Sequence, residues 1–544
     1  MSEVPRAYAG STFDPAYVLP RLLRARSQDE AEAGRIFIQE VEGESVTYGQ
    51  FDQDVRRWTT ALAGLGIADG DVVACLLPAT ADAICAWMAI AWCGGLELPV
   101  NTGYNAEMLD YVLRDSGARA LLVSAQTLPL IAPVLAGLPA LRALIITDAR
   151  SSDVTVPAGL TVTDAADLSA APPAGDMPGP AYWDPASVVY TSGTSGPSKG
   201  VVCAWPKFYL EAAVGGLEAS LGPSDAFYCV LPLFHVSGKQ AIYISALSGG
   251  RLILRRSFSA TAFLADIRSY DVTLTCIIMA MVQFLLTQPE LGDDADNLLR
   301  YAFIAPMNDR ARQFARRYGT AVMSFYGQTE GCLPLLTGWN PDNFEVTGRP
   351  RPEVEVRVVD EHDELLPPGS VGELIYRPRH PWTTMICYLN RPDSTAQAYL
   401  NGWFHTGDAF VMDGGGNYRF VDRRSDTIRR RGENVSSMEL ESMVRKDAAV
   451  ADCAAVGVPS PWGDDDIHLF VVPGPACTAT AAELCERLSS ALPRYMSLAQ
   501  VHLLPELPRT ATGKVRKGDL RSQAAAVAAD GAAKPAAAAT GPAQ

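Results

Sequence analysis

The first half of the chain alternates short apolar runs with longer helical stretches. Residues 71–77 and 96–100 are apolar runs of strand length, and residues 81–93 between them have the length and apolar content of a buried helix. Continuous apolar runs are typical of strands covered on both faces, and a helix between two such strands supplies a parallel crossover. The pattern therefore predicts an α/β fold with mostly parallel strands.

A smaller pattern of the same kind follows residue 422. It predicts a helix over 438–445, strands over 450–458 and 467–472, and a helix over 481–492. We expect a large N-terminal domain of layered β-sheets with helices over residues 1–421, and a small C-terminal α/β domain over 422–522. The Ala-rich residues 523–544 have little apolar bulk and are predicted to be a disordered tail. The Pro-, Gly- and Ala-rich residues 171–180 are predicted to be a surface linker.

Composition excludes several function classes. A chain of 544 residues is too long for one compact core. The formal net charge of -16 disfavours nucleic acid as a partner, because such a surface repels phosphate backbones. No run reaches the ~18 apolar residues of a membrane span, and the N-terminus lacks the pattern of a secretory signal. We therefore expect a cytoplasmic protein without a membrane span.

Residues that commonly ligate metals are scattered along the chain. The eleven cysteines contain no C-x-x-C spacing, and the six histidines contain no H-E-x-x-H. An odd and dispersed set of cysteines indicates reduced thiols rather than disulfides or a zinc site. A metal held by protein ligands alone is not expected.

A loop rich in Ser, Gly and Thr follows the apolar run 187–190. It reads Thr191-Ser192-Gly193-Thr194-Ser195-Gly196-Pro197-Ser198-Lys199-Gly200. Glycines let backbone N–H groups approach an anion, hydroxyls donate hydrogen bonds, and Lys199 adds positive charge, so the loop suits a triphosphate. It is not a Walker A loop, in which Lys is preceded by Gly and followed by Ser or Thr. A polar surface turn is the alternative that these residues alone leave open.

The loop resembles the signature of the adenylate-forming superfamily, which includes acyl-CoA synthetases, adenylation domains of nonribosomal peptide synthetases and beetle luciferases. Five further segments resemble motifs of that family in the same order: 232–238, 325–330, 402–408, 422–435 and 508–514. The resemblance covers residues 30 to 520 or so. It implies that the protein uses ATP to adenylate a small carboxylic acid, releases pyrophosphate, and transfers the acyl group to coenzyme A.

The resemblance also implies roles for individual residues. Glu330 would ligate Mg²⁺ together with phosphate oxygens, and Thr329 would contact the α-phosphate. Lys514 would stabilise the charge that develops during adenylation, and His235 completes the catalytic set. The residues expected to bind the nucleotide or coenzyme A are Thr191, Ser192, Gly193, Thr194, Ser195, Gly196, Lys199, Ala305, Pro306, Tyr326, Gly327, Asp408, Phe420, Arg423 and Gly432.

Three of these roles have plainer alternatives. Asp408 would accept hydrogen bonds from both ribose hydroxyls, or it forms an Asx-turn with its own backbone. Tyr326 would stack on adenine, or it packs in the core. Lys514 would reach the α-phosphate, or it is one solvated residue of a basic stretch with Arg516 and Lys517.

In the family the small domain is mobile and rotates between an adenylating and a thioester-forming pose. The hinge is usually an Asp or Lys two residues after the arginine that Arg423 matches. That position is Ser425 here, with Asp426 next, so the pivot stays open between the two. In the second pose the backbone around Gly432 would line the tunnel for pantetheine, because glycine permits a close approach.

The acyl pocket is predicted to involve His235, Val236, Lys239, Phe303, Ile304 and Tyr326. Phe303 and Ile304 stand where relatives often have two glycines, so their bulk would shorten the pocket unless it points into the core. Lys239 follows His235 by four residues, which places both on one helix face. Pointing inward, Lys239 would pair with a second anionic group of the substrate; the alternative is a solvated lysine.

Segments 420–424 and 431–436 most resemble the carnitine/crotonobetaine-CoA ligase branch. Other acceptors remain open, namely the thiol of a separate carrier protein or an amine, as does nitrite in place of the acid in diazotase-like relatives. A catalytically inactive nucleotide-binding protein is disfavoured, because Glu330, Asp408 and Lys514 are all present. A homodimer is a further expectation.

Overall fold

The computed structural model describes residues 6–148, 156–191, 198–214, 220–423, 426, 428–430, 433–460, 465–475, 477–493, 496–510 and 513–532. Up to residue 190 its helices are α1 (Leu19–Gln28), α2 (Tyr48–Gly64), α3 (Ala81–Trp92), α4 (Ala106–Ser116), α5 (Leu128–Ile131) and α6 (Ala165–Ala170). The strands of this part are β1 (Tyr8–Ala9), β2 (Thr12–Phe13), β3 (Ile36–Glu40), β4 (Ser45–Thr47), β5 (Val72–Leu76), β6 (Leu96–Pro99), β7 (Ala120–Val123), β8 (Ala143–Ile146), β9 (Thr161–Thr163) and β10 (Pro185–Tyr190).

The rest of the large domain continues the alternation and then becomes mainly β. Its helices are α7 (Trp205–Ala212), α8 (Val236–Ser248), α9 (Phe263–Ser269), α10 (Met279–Leu286), α11 (Asp309–Tyr318) and α12 (Pro392–Ala398). Its strands are β11 (Gly200–Ala204), β12 (Ala226–Cys229), β13 (Arg251–Leu254), β14 (Leu274–Ile278), β15 (Tyr301–Ala305), β16 (Ala321–Met323), β17 (Phe325–Tyr326), β18 (Leu335–Leu336), β19 (Arg349–Pro350), β20 (Val354–Val359), β21 (Val371–Pro378), β22 (Met385–Tyr388), β23 (Tyr399–Leu400), β24 (Trp403–Met412) and β25 (Tyr418–Arg423).

Two large sheets form the body of the large domain. Among the described residues, one has eight strands in the order β22-β11-β10-β6-β5-β7-β8-β9, and the other has seven in the order β16-β15-β14-β12-β13-β3-β4. Strands β5 to β8 pair in parallel, whereas β11 is antiparallel to both β10 and β22. The layered α/β prediction is confirmed. The antiparallel β10–β11 hairpin places the two ends of the phosphate loop next to each other, at one end of these strands.

Helix α3 is buried around its whole circumference, as its apolar sequence predicts. All residues from Ile84 to Trp92 are buried. Residues of α3, α7 and α8 belong to one hydrophobic cluster, so these three helices pack together in the interior. This packing places polar residues of α8 deep inside the protein.

A five-stranded sheet and a small α/β unit complete the fold. The strands β20, β21, β24 and β23 pair in that order, and β25 pairs with β24. The C-terminal elements are β26 (Ile428–Arg430), β27 (Glu433–Val435), α13 (Ser437–Val444), β28 (Val450–Pro459), β29 (Asp465–Pro473), α14 (Ala481–Ala491), β30 (Gln500–Leu503) and α15 (Lys517–Ala532). All four elements predicted for this part are present. The domain boundary at residue 422, which falls at the end of β25, stays a prediction.

The Ala-rich tail is partly helical, contrary to the prediction of disorder from residue 523. Helix α15 continues to Ala532, and it packs against β28 through Leu520 and Ala524, both buried. Alanine has the highest helix propensity, and residues four apart share a helix face, so small side chains suffice for close packing. Residues 533–544 lie outside the described part.

Residues 171–180 are irregular, as the linker prediction requires, and backbone oxygens of this segment accept hydrogen bonds from Arg21 and Arg56. In the part of the chain that the structure describes, no helix combines the length and the apolar character that crossing a membrane requires.

Candidate active site

The base of the phosphate loop is closed by a backbone hydrogen bond. The Thr191 N–H donates to the Lys199 carbonyl over 3.0 Å, and the Lys199 ammonium lies 4.9 Å from the centre of the Tyr388 ring in β22. The predicted residues Ser192, Gly193, Thr194, Ser195 and Gly196 lie outside the described residues. Lys199 is therefore held at the edge of the first sheet, beside β22.

Glu330 lies next to the same strand. Its Oε1 accepts a hydrogen bond of 2.9 Å from the Tyr388 hydroxyl, and its carbonyl accepts one of 2.7 Å from the Met385 N–H. The Tyr388 side chain thus connects the predicted metal ligand with the lysine of the phosphate loop. The sequence analysis did not single out Tyr388, because nothing in the run 385–388 marks one aromatic residue as functional.

The surroundings of Glu330 fit a magnesium ion that is shared with phosphate oxygens. No described residue donates a hydrogen bond to its second carboxylate oxygen. No group of three potential metal ligands is found in the described ranges. Mg²⁺ in nucleotide sites commonly takes one or two carboxylates and completes its shell with phosphates and water. A single free carboxylate oxygen beside the phosphate loop meets that requirement.

Asp408 in β24 is the centre of a polar network. Its Oδ2 accepts hydrogen bonds from the Tyr326 hydroxyl (2.5 Å) and from Gln328 Nε2 (2.9 Å), and Arg423 Nε lies 3.7 Å from Oδ1. Burial raises the pKa of Asp408, and Arg423 opposes that shift. Asp408 is thus a carboxylate fixed by side chains from other strands, not one bonded only within its own turn. The sequence analysis did not predict a role for Gln328, which stands at the variable position of its motif.

Tyr326, which donates to Asp408, belongs to a group of three aromatic rings. The Tyr326 ring packs edge-on against Phe410 at 4.8 Å, and the Phe420 ring lies 6.5 Å from it. Tyr326 therefore packs against neighbours and also presents its hydroxyl to Asp408. Its predicted stacking on adenine stays a prediction.

Lys514 reaches the same cleft from the small domain. Its N–H donates to Thr510 Oγ1 (3.1 Å) and its carbonyl accepts from the Thr510 N–H (2.7 Å), which closes a tight turn. The surrounding protein and Arg423 lower the pKa of Lys514, whereas Asp408 and Glu330 oppose the shift. That Lys514 and the two carboxylates form one catalytic site stays a prediction.

The Lys514 loop touches the large domain near the end of β14. Gly513 has a φ of +79°, and a Cβ built there would lie 3.4 Å from Ile278 Cδ1. A glycine suits this turn because its backbone conformation is unfavourable for other residues. Ile278 therefore lies beside the Lys514 loop.

His235 caps the N-terminus of α8. Its Nδ1 lies 2.6 Å from the Ser237 hydroxyl and accepts a hydrogen bond of 3.3 Å from the Ser237 N–H. Burial, together with Lys514 and Lys207, lowers the pKa of His235 to about 4. The imidazole is therefore neutral at pH 7 and does not repel Lys514.

Lys239 is buried, so the alternative of a solvated surface lysine is wrong. It is 1% exposed, and its Nζ lies 2.6 Å from Glu97 Oε2 and 3.6 Å from the centre of the Trp87 ring. The Ser187 hydroxyl donates to the same Glu97 oxygen over 2.6 Å. Lys239 thus points inward, as one interpretation required, but its partner is a carboxylate of the chain itself. Glu97 and Trp87 were missed because they lie far from α8 in sequence.

A cavity adjoins this ion pair. Its volume is about 20 Å³, enough for roughly one water molecule and far below the ~300–1,000 Å³ typical of small-molecule sites. Its lining is mostly apolar and includes Trp87, Glu97, Leu233, Phe234, Lys239 and Ile242.

Phe303 and Ile304 do not line this cavity. Both are fully buried in β15. Phe303 packs against Phe325 and Trp339, with ring centres 5.9 and 5.5 Å apart, and Ile304 belongs to a cluster on the other face of the sheet. Their bulk fills the core, which corrects the expectation that it shortens the pocket.

The remaining predicted positions are near the cleft or undescribed. Ala305 ends β15 opposite Ile278, and Pro306 after it is exposed. Gly327 and Thr329 follow β17. Val236 is the first residue of α8 and is half-buried. Ser425 and Gly432 lie outside the described residues, so the hinge and the pantetheine tunnel stay predictions.

Comparisons with known proteins identify the family of the chain. The family model described as AMP-binding enzyme matches residues 25–389, and that of the AMP-binding enzyme C-terminal domain matches residues 439–514. Crotonobetaine/carnitine–CoA ligases of Salmonella arizonae and Escherichia coli are 28% identical over 484 residues, covering 87% of this chain and 93% of theirs.

Solved structures share the fold. The o-succinylbenzoate CoA synthetase of Bacillus subtilis with its acyl-adenylate matches with a TM-score of 0.76 and 25% identity, over 92% of this chain and 97% of that one. A benzoate CoA ligase from Burkholderia xenovorans matches with a TM-score of 0.79 and 23% identity, over 93% and 99% of the two chains.

The chain belongs to the AMP-binding enzyme family, since the family model covers more than half of it. Within that family it is an AMP-forming ligase, whose large and small domains match the two family models in order.

Proposed function

We propose that this AMP-forming acyl-CoA synthetase activates a small carboxylic acid in the cleft between Glu330, Asp408 and Lys514. ATP and the acid give an acyl adenylate and pyrophosphate, and the thiol of coenzyme A then takes the acyl group and releases AMP. The observation that supports this most directly is electrostatic. Lys514 lies close enough to Arg423, Asp408 and Glu330 for all three to influence its pKa.

The large domain would hold the nucleotide. Oδ1 of Asp408 keeps its lone pairs for the ribose hydroxyls, because Tyr326 and Gln328 both donate to Oδ2. The rings of Tyr326 and Phe420, tilted by 32° with centres 6.5 Å apart, offer apolar surface near it for the base. Thr191 and Lys199 hold the ends of the loop that would bind the phosphates.

Glu330 would hold Mg²⁺ through its free oxygen while Tyr388 fixes the other. The ion would supply positive charge that neutralises the phosphate oxygens. The hydrogen bond from Tyr388 keeps the carboxylate oriented before the nucleotide arrives.

Lys514 would stabilise the adenylation transition state. Negative charge builds on the α-phosphate and on the attacking carboxylate, and a positioned ammonium can donate hydrogen bonds to both. His235 is neutral and contributes a hydrogen-bonding ring without adding charge. In the second half-reaction the small domain would rotate, so that Lys514 leaves and the backbone near Gly432 approaches.

The acid is proposed to be small, because relatives named for their acids include a crotonobetaine/carnitine–CoA ligase and an o-succinylbenzoate CoA synthetase. The eleven cysteines are all free thiols, which supports a reducing compartment such as the cytoplasm. A homodimer and a separate carrier protein stay predictions that nothing in the structure favours.

ATP–pyrophosphate exchange against a panel of short, aromatic, dicarboxylic and betaine-type acids, and nitrite, tests the proposal. We expect exchange with at least one small carboxylic acid, and CoA-dependent release of AMP with formation of a thioester. Exchange that does not respond to CoA would mean that a compound other than CoA accepts the acyl group. ATP binding without exchange for any acid would overturn it.

A matched pair of variants identifies the site. Lys514→Ala should reduce exchange by about 100-fold or more, the scale of losing one preorganised transition-state contact. Lys446→Ala removes an exposed lysine of the same domain and should leave exchange unchanged. Equal rates in the two variants would show that the chemistry does not use Lys514.

A further inference from the structure

We propose that helix α4 positions the phosphate loop, with Tyr111 and Asp115 holding the chain at the two ends of residues 191–199. This inference rests on the proposed function, because it takes that loop as the part of the chain that binds the phosphates of ATP. It goes further by giving a role to a helix that lies outside all six motif segments. Since Thr329 is predicted to contact the α-phosphate, the role concerns the β- and γ-phosphates and the pyrophosphate that leaves.

One end of the loop is held through Tyr190, the last residue of β10. Its hydroxyl donates a hydrogen bond of 2.7 Å to Asp115 Oδ2, and Asp115 belongs to the last turn of α4. Burial raises the pKa of Tyr190 and Asp115 raises it further, so the hydroxyl keeps its proton and acts as the donor. The residue directly before Thr191 is therefore anchored to α4.

The other end of the loop is held through Ser198. The Tyr111 hydroxyl donates to the Ser198 carbonyl over 2.8 Å. Burial raises the pKa of Tyr104, and a hydrogen bond with the Ser198 side chain opposes that shift, so a second tyrosine reaches the same residue. Tyr111 and Asp115 are four residues apart and share one face of α4. One helix face thus contacts the chain at both ends of the loop.

Asp115 also connects the loop with the strand that supports the predicted metal ligand. Its Oδ1 pairs with the Arg391 guanidinium, and its carbonyl accepts a hydrogen bond of 2.9 Å from Asn390 Nδ2. Both partners follow β22, whose last residue Tyr388 binds Glu330. The phosphate loop and the support of Glu330 are therefore held by contacts with one residue of α4.

Fixing both ends matters because the loop contains glycines. Gly193 and Gly196 lie between the two anchored positions in the sequence. Glycine loses more backbone freedom on ordering than any other residue, and such a loss weakens binding. A loop whose ends are fixed before the nucleotide arrives loses less freedom, so its N–H and hydroxyl groups would bind the outer phosphates more tightly.

The alternative is that these contacts only stabilise the fold. Their loss would then weaken every ligand of the site alike. Positioning of the loop predicts a selective effect instead, because AMP has no β- and γ-phosphates and would rely on the contacts predicted for Asp408, Tyr326 and Thr329. A comparison of ATP with AMP therefore separates the two roles.

Isothermal titration calorimetry of the full-length protein with Mg·ATP and with AMP tests the inference. Tyr111→Phe removes only the hydroxyl that binds Ser198. Asp115→Asn has one acceptor oxygen in place of two, so it cannot serve both Tyr190 and Arg391. In each variant we expect the dissociation constant of ATP to rise about fivefold or more, the scale of one lost hydrogen bond, and that of AMP to change by less than about twofold.

Asp110→Asn is the matched control. Asp110 lies on the same helix and pairs with Arg114 at 2.8 Å, and both side chains are partly exposed. The variant removes the same charge from α4 and should leave the dissociation constants of both nucleotides unchanged. Thermal unfolding checks that each variant is folded. If Asp115→Asn does not fold, Tyr111→Phe, which changes a single oxygen, decides alone.

A second measurement uses the acid that the exchange panel identifies. Asp115→Asn should raise the KM of pyrophosphate in the exchange reaction by about fivefold or more. Thioester formation from the prepared acyl adenylate and CoA should keep the rate of the wild type, because pyrophosphate has left before this step. A loss of equal size in both steps would indicate a merely structural role and overturn the inference.

The binding data alone also give clear contrary outcomes. Unchanged binding of ATP in either folded variant, or equal weakening of ATP and AMP, would overturn the inference. So would a wild type that binds ATP no more tightly than AMP, because the loop would then add nothing for the outer phosphates. If no acid of the panel gives exchange, the proposed function fails, and the binding of ATP and AMP still decides the role of α4.

Discussion

At the scale of single residues, Tyr388 joins two groups that the sequence motifs treat separately. Its hydroxyl binds Glu330, and its ring lies beside Lys199. One side chain therefore sets the distance between the predicted metal ligand and the predicted phosphate contact. A carboxylate that is oriented in advance loses less freedom when it binds a metal ion.

Tyr388→Phe should weaken the binding of Mg·ATP. The variant keeps the ring beside Lys199 and removes the hydrogen bond to Glu330, which is a bond to a charged group worth about 1.5–3 kcal/mol. We expect a rise of about tenfold or more in the dissociation constant of ATP with Mg²⁺, and little change without it. Isothermal titration calorimetry measures both. Tyr399→Phe, whose hydroxyl binds Thr384 and the Met385 carbonyl instead, is the control.

Because of Lys514, the rate of exchange should fall on the basic side of its pH profile at a lower pH than an ordinary lysine would give. The ammonium form is the active one, and Arg423 and the surrounding protein lower the pKa of Lys514 below its ordinary value of 10.5. Exchange should therefore fall with rising pH at a pH below 10.5. Lys514→Arg keeps its charge at higher pH, so the limb should move upward even if the maximal rate drops. A limb in the same place for both proteins would contradict this.

At the scale of secondary-structure elements, local patterns predicted most of the fold. The apolar runs at 71–77 and 96–100 became β5 and β6, because a strand covered on both faces needs little information beyond its own sequence. Helix α15 was missed for a physical reason. Apolar bulk was taken as the requirement for folding, but alanines on one helix face pack closely against β28.

Adjacent alanines in α15 provide a test of that packing. Ala524→Asp places a charge in a fully buried position and should reduce the free energy of unfolding by about 3 kcal/mol or more. Ala525→Asp and Ala526→Asp, both at exposed positions, should change it by less than about 0.5 kcal/mol. Urea denaturation distinguishes the two cases, and equal effects at all three positions would mean that this segment is not packed.

The candidate site was less predictable than the elements. Residues within motifs, such as Glu330 and Asp408, were identified because their order along the chain resembles a known family. Glu97 was not, since it pairs with Lys239 across 142 residues and only the tertiary structure brings them together. Helix α3 is apolar all around, so nothing in its sequence indicates that Trp87 is the residue facing a charge.

At the scale of the whole molecule, the small domain touches the large one where the reaction is proposed to occur. Polar contacts within residues 422–522 hold the small domain itself together. Asp422 Oδ2 accepts from the Ser437 N–H over 2.6 Å, and Lys517 pairs with Glu441 at 2.7 Å. Asp426, one of the two candidate hinge residues, pairs with Arg521 at 3.2 Å.

Fixing the present arrangement should separate the two half-reactions. Cysteines at positions 278 and 513 (Ile278→Cys with Gly513→Cys) lie close enough for a short thiol-bridging reagent. The bridged enzyme should retain the ATP–pyrophosphate exchange of the unbridged double variant and lose CoA-dependent AMP release. The two single variants, treated with the same reagent, are the controls for the native cysteines. Thioester formation at an unchanged rate in the bridged protein would show that no rotation is needed.

The division of the charged groups between the two domains has a consequence for the fate of the intermediate. Glu330 and Asp408 precede the predicted boundary at residue 422 and Lys514 follows it, while Arg423 lies at the boundary, at the end of β25. Withdrawing the small domain would remove one cation and leave the nucleotide contacts in place. A mixed anhydride, which water destroys, would then stay bound while the groups for the second step replace those for the first. The reactive compound would never have to diffuse through the cell.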